Sequence, residues 1–115
     1  MSENAIRTYR AFWPYYLREH ARPLTRHWHI AGTAAAILFL TGAVLLARPW
    51  LLAASLVAGY GPAWCAHFLV EKNAPATFRY PFWSLVSDLR MVALWFSGGL
   101  SKELDKAGLP PKDAP

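Results

Sequence analysis

Two long stretches without an acidic or basic side chain, residues 30–47 and 50–70, are separated only by Arg48-Pro49. A helix rises about 1.5 Å per residue, so the first stretch carries the chain roughly 27 Å, close to the thickness of a bilayer's hydrocarbon core. With so short a connection the two helices must run antiparallel. Their far ends then return to one level, and each brings a histidine there. His29 stands just before the first run and His67 near the end of the second.

The rest of the composition agrees with a small integral membrane protein. The 115 residues are enough for one core and 55% of them are hydrophobic, while the charged side chains apart from Arg48 gather before residue 30, between Glu71 and Arg90, and after Ser101. Arg7, Arg10, Arg18, Arg22 and Arg26 precede the first run, whereas Arg48 alone marks the turn. The positive-inside rule therefore predicts a cytoplasmic N-terminus and a cytoplasmic 71–90 segment. The net charge of +5 comes from arginines beside apolar runs, where anionic lipid headgroups rather than nucleic acid are the expected partner. The first apolar run starts near residue 30 and leads straight into another, so no removable signal peptide is expected. Cys65 has no partner for an intrachain disulfide and is expected to be a small buried hydrophobe.

Read along its length, the chain is all-α: one membrane-embedded domain over residues 1–100, built on a transmembrane helical hairpin, followed by a mobile C-terminal tail over 101–115. Around residues 5–19 arginines mix with Ile6, Tyr9, Phe12, Trp13, Tyr16 and Leu17, a stripe suited to lying in the membrane interface. Pro23 is expected to end that element and Thr25 to cap the first span. Gly59, Gly61 and Pro62 predict a kink and close helix approach in the second. Pro75 and Pro81 interrupt the polar loop after Glu71. A third helix, interfacial or partly spanning, is expected over residues 82–98, with Asp88 and Arg90 inside it.

The chemistry has to come from His20, His27, His29, His67, Glu19, Glu71, Asn73 and Asp88, all on the side of the hairpin away from Arg48. On an α-helix His67 and Glu71 stand four apart and share a face, so one metal or one hydrogen bond can use both. His27 and His29 are two apart and point to different sides, and His29, next to the span, is the better candidate for the interior. Imidazole with an occasional carboxylate suits zinc or non-haem iron. No HxxxH, HExxH or CxxC cluster is present to strengthen that reading.

A longer pattern does strengthen it. The stretch Gly59-Tyr60-Gly61-Pro62-Ala63-Trp64-Cys65-Ala66-His67-Phe68, continuing through Glu71-Lys72-Asn73-Ala74-Pro75-Ala76-Thr77-Phe78 to Tyr80-Pro81 and Trp83-Ser84-Leu85, resembles the Mpo-one-like 2-hydroxy fatty acid dioxygenases, in their compact bacterial-type branch. Tyr16-Leu17-Arg18-Glu19-His20, Arg26, and His29 with Gly32-Thr33 are similar to the same family's N-terminal motifs.

The resemblance implies an iron(II) enzyme of the bacterial inner membrane that uses oxygen to shorten a 2-hydroxy fatty acid by one carbon. It places His20, His29 and His67 on the metal and leaves His27 aside. Glu71 then has three possible roles: ligand, support for His67, or base. Asp88 has the same choices or an arginine partner. Arg26, Lys72 and Arg79 are candidates to pair with the substrate carboxylate. From another class, a non-enzymatic membrane assembly or lipid-binding protein is the alternative, and bound metal discriminates the two. Four histidines are too few for a histidine-box di-iron site.

Overall fold

The computed structural model of the chain describes residues 5–109. Among these every regular element is helical: α1 (Tyr9–Arg18), α2 (Pro23–Leu45), α3 (Trp50–Cys65), α4 (Pro81–Ser97) and α5 (Leu100–Lys106). A π-helical stretch, Ala66–Glu71, continues α3, and a single 3-10 turn, Ala76–Phe78, precedes α4. Helix α2 and the combined Trp50–Glu71 helix are long and apolar enough to cross a membrane, and only 28% and 17% of their apolar windows are buried inside the protein. The core helix of a soluble protein would be mostly covered. Here Leu38, Val44, Leu56 and Val57 face outward.

The hairpin is antiparallel, turning at Ala47, which adopts a left-handed conformation (φ 53°) so that the Arg48 N–H reaches the Ala43 carbonyl at 3.1 Å. Its register can be followed along the crossing: Gly42 lies against Leu51, Ser55 Oγ donates to the Ala36 carbonyl at 2.7 Å, and Gly32 lies against Ala58 and Pro62. The last contact has a specific cause. Pro62 has no N–H, so the Ala58 carbonyl loses the donor that an α-helix would give it. That carbonyl projects toward α2 at Gly32, and a Cβ there would come within 2.7 Å of the Ala58 oxygen. A small residue is required for the backbones to approach.

Most large buried side chains lie at the histidine end. Phe12, Trp13, Tyr16 and Leu17 of α1 pack with Met91 and Val92 of α4 and with Leu100 and Leu104 of α5. The aromatic stripe of α1, expected to lie in the interface, is thus taken up by protein packing. Pro23 likewise opens a helix rather than ending one: it is the first residue of α2, where its fixed φ is preorganised and its missing N–H costs nothing, and Arg22 rather than Thr25 is the N-cap.

Part of the segment expected to be a mobile tail is ordered as α5. There Leu104 is fully buried, and Glu103 accepts a 2.8 Å hydrogen bond from Trp13 Nε1. Arg90 lies 4.1 Å over the Trp13 ring and 3.8 Å from Glu103, tying α1, α4 and α5 together. Residues 110–115 of that segment lie outside the described residues. Cys65, expected to be buried, is exposed on the outer face of α3 beside exposed Trp64 and Phe68, so it is an outward-facing thiol rather than a core filler.

The crossing at Gly32 predicts an asymmetric response to alanine. Gly32→Ala must push the Ala58 carbonyl aside and should cost about 1–3 kcal/mol of stability, read as a lower unfolding temperature in detergent. Gly61→Ala, whose Cβ would meet nothing within 4 Å, should leave that temperature unchanged or raise it.

Candidate metal centre

His20, His29 and His67 are buried and offer three ligand atoms within 4.8 Å of one another. Their rings lie 4.6 Å (His20–His29), 4.5 Å (His20–His67) and 5.9 Å (His29–His67) apart, centroid to centroid. Three separate elements bring them there. His20 ends the turn after α1, His29 stands in the second turn of α2, and His67 sits in the π-helical stretch that closes the hairpin.

The partners of each ring fix which nitrogen is free. His20 Nδ1–H donates to the Tyr16 carbonyl at 2.7 Å, and His67 Nδ1–H donates to Asn73 Oδ1 at 2.7 Å. Asn73 is oriented for this because its Nδ2 donates to the backbone carbonyl and Oε1 of Glu19, both at 3.2 Å. Each Nε2 therefore carries a lone pair, yet the two Nε2 atoms face each other at 3.0 Å. On the third ring, His29 Nε2–H donates to Asp88 Oδ1 at 2.5 Å, and Nδ1 is buried with no hydrogen-bond partner. Two free lone pairs thus face each other, and the His29 ring lies beside them, its centroid 4.6 Å from that of His20 and 5.9 Å from that of His67. Burial, with His29 and His67 as neighbours, pushes the His20 pKa well below the ordinary histidine value. A proton is a poor way to satisfy that nitrogen; a cation that accepts both facing lone pairs is a good one.

The supports are buried in turn. Tyr16 OH donates to Asp88 Oδ1 at 2.6 Å, so one carboxylate oxygen holds both Tyr16 and His29. Burial and the Asp88 charge raise the Tyr16 pKa well above the usual phenol value, keeping its proton in that bond. Arg26 is fully buried, and its Nη1 donates to the carbonyls of His20 and Ala21 at 2.8 and 2.9 Å, locking the α1–α2 turn that carries His20.

Glu71 faces the start of α2, where its Oε2 accepts from the Arg22 N–H at 2.7 Å and from Thr25 Oγ1 at 2.9 Å. It supplies from across the hairpin the cap that Arg22 cannot supply itself, and places negative charge at the positive end of the helix. His67 and Glu71, four apart in the π-helical stretch, do not share a partner: His67 bonds Asn73, while Glu71 reaches Arg22 and Thr25. Lys72 and Arg79 are exposed, Arg79 lying over the Tyr80 ring at 5.3 Å, and His27 is exposed on the outside of α2.

A cavity of about 10 Å³ beside the histidines is lined in part by Tyr16, Tyr60, Trp64, Thr77, Ser84 and Asp88, room for about one water-sized group. A much larger apolar groove of about 500 Å³ runs between α2, α3 and α4, lined among others by Thr33, Ile37, Leu40, Leu56, Gly59 and Leu85. Tyr60 and Asp88 border both spaces, so the groove leads to the histidines. Tyr16 and Ser84 were not among the expected site residues. Tyr16 carried a usable signal, standing four residues before His20 on one helical face, while Ser84 carried only its place in the Trp83-Ser84-Leu85 motif.

Fold and site together define an all-helical protein with a buried three-histidine metal-type centre at the end of an apolar groove. The chain belongs to the 2-hydroxy-palmitic acid dioxygenase Mpo1-like family, whose model matches residues 6–100. No curated protein and no solved structure gives a match.

If Asn73 and Asp88 set the free nitrogens of His67 and His29, then Asn73→Ala and Asp88→Asn should each weaken metal binding on the order of 10–100-fold while preserving the fold. Titration of apo-protein with divalent metal, alongside circular dichroism, checks this. Unchanged affinity in both variants would remove the supporting role.

Proposed function

We propose that the chain is an iron(II)-dependent dioxygenase that shortens a 2-hydroxy fatty acid by one carbon, embedded in a membrane with its histidine centre at the cytoplasmic level. The observation that carries this reading is the convergence of buried His20, His29 and His67, whose ligand atoms lie within 4.8 Å of one another, beside an apolar groove. The donor set fits a divalent iron: three clustered imidazoles, two of them anchored through Nδ1 and the third bonded to Asp88. When bound, the iron supplies the redox chemistry that lets dioxygen react with a closed-shell acid. The family's printed description, a 2-hydroxy-palmitic acid dioxygenase, supports the same substrate class.

The overall reaction needs no further electron donor. A 2-hydroxy acid and one dioxygen give carbon dioxide, water and the acid one carbon shorter, with the substrate supplying all four electrons. Three protein ligands leave positions open, and a 2-hydroxy acid carries its hydroxyl and carboxylate on adjacent carbons. In this reading the groove between α2, α3 and α4 takes the acyl chain and excludes water from it. Asp88 and Tyr16 hold His29, Asn73 holds His67, and Arg26 holds the turn of His20. We assign Glu71 to positioning, through its cap on α2, rather than to ligation or base catalysis. Lys72 and Arg79, exposed on the loop at the same level, are suited to meet an acidic head as it approaches from a headgroup layer.

The membrane placement rests on the uncovered apolar faces of the two long helices and on the arginines at the histidine end. The groove then opens among lipid chains, which lets a fatty acyl substrate enter sideways without crossing water.

Protein purified without oxygen should contain iron, and His20→Ala, His29→Ala and His67→Ala should each lose it, whereas His27→Ala should retain it. With 2-hydroxypalmitate and labelled oxygen, mass spectrometry should find the acid one carbon shorter, while palmitate should remain unchanged. Iron-loaded protein that yields no shortened acid would rule the activity out, and protein that binds no metal would favour a lipid-binding or assembly role.

A further inference from the structure

The small cavity beside the histidines has one polar group that the metal reading does not use. Ser84 is 2% exposed, and its Oγ has no hydrogen-bond partner. A buried hydroxyl in the first turns of a helix usually returns its proton to a carbonyl one turn back. Ser84 Oγ does not, although its own N–H bonds the Tyr80 carbonyl at 2.9 Å. Leaving such a group unsatisfied is costly, so a partner is to be expected when the site is filled.

Among the described residues that line the cavity, Ser84 Oγ is the one buried hydroxyl without a partner. Tyr16 OH is given to Asp88, Asp88 Oδ1 accepts from both Tyr16 and His29, and the histidine nitrogens face the metal position or their supports. Among the described residues that line the cavity there is no lysine or arginine. A carboxylate entering here must therefore be met by the metal and by neutral donors. Ser84 lies four residues before Asp88 on α4, so both side chains project from the same helical face toward the histidines. The groove meets the cavity at Asp88.

We infer that Ser84 is a substrate-binding residue that donates its hydroxyl proton to the carboxylate of the 2-hydroxy acid. This rests on the proposed function and adds to it the group that recognises the acid's head. A short hydroxyl suits the space, because the cavity has room for about one water-sized group, enough for one carboxylate oxygen beside Ser84, and a longer polar side chain would fill it. It also explains how a carboxylate is oriented without a buried cation, which would compete with the metal for that charge.

The test is direct binding to zinc-loaded protein without oxygen, where no turnover occurs, using 2-hydroxypalmitate and its methyl ester. Ser84→Ala removes only the hydroxyl and should keep wild-type metal content and unfolding temperature. Its dissociation constant for the acid should rise on the order of 10–100-fold, the usual loss for a hydrogen bond to a charged group, while that for the neutral ester stays unchanged. An unchanged constant for the acid overturns the inference. So does an equal loss for acid and ester, since Ser84 would then act through the shape of the site. Wild-type protein that binds neither compound overturns the functional reading itself, and this assignment with it.

Discussion

Two imidazole nitrogens, His20 Nε2 and His67 Nε2, face each other at 3.0 Å with their protons held on the opposite side of each ring. Lone pairs repel at that separation, so the surroundings have to hold them in place. The Tyr16 carbonyl fixes one ring and Asn73 the other; Arg26 braces the turn below His20, and the Glu71 cap closes the hairpin beside it. The network orders these side chains around the facing nitrogens by folding alone, which is what preorganisation of a metal site would require.

The molecule divides into two parts with different solvents in view. The hairpin of α2 and α3 has apolar side chains facing outward and is held together by close backbone approach at small residues, with Gly32 against the Ala58 carbonyl as the tightest point. The histidine end has a conventional core of aromatics and leucines from α1, α4 and α5. The centre lies where the two meet. An apolar substrate can then be held by the first part while its polar end is handled in the second.

The family to which the chain belongs is described by 2-hydroxy-palmitic acid dioxygenation, and the proposed reaction draws every electron from its substrate, so the protein would have only to hold the reactants and exclude water. Burial lowers the His20 pKa and raises that of Tyr16, so one group keeps its lone pair and the other stays a donor. Neither role needs a second domain.

The hairpin was legible because an uncharged run and a two-residue turn leave a chain little choice, and its antiparallel register brings His29 level with His67. The helical class followed from the same runs. What sequence could not decide was orientation about a helix axis. His67 and Glu71 stand four apart in an α- or a π-helical turn alike, yet they take different partners, Glu71 capping α2 and His67 bonding Asn73. The stripe on α1 and the segment around Leu104 had the pattern of surfaces awaiting a partner, and only packing shows that they cover each other rather than lipid or water. Ser84 is the sharpest case: a serine among apolar neighbours has no periodic signature, and its meaning comes from a hydroxyl buried without a partner beside three histidines. Local sequence determines which segments coil and which faces are apolar, because those depend on a few neighbouring residues. Which polar atoms end up satisfied depends on contacts across the whole chain, and only the tertiary structure decides that.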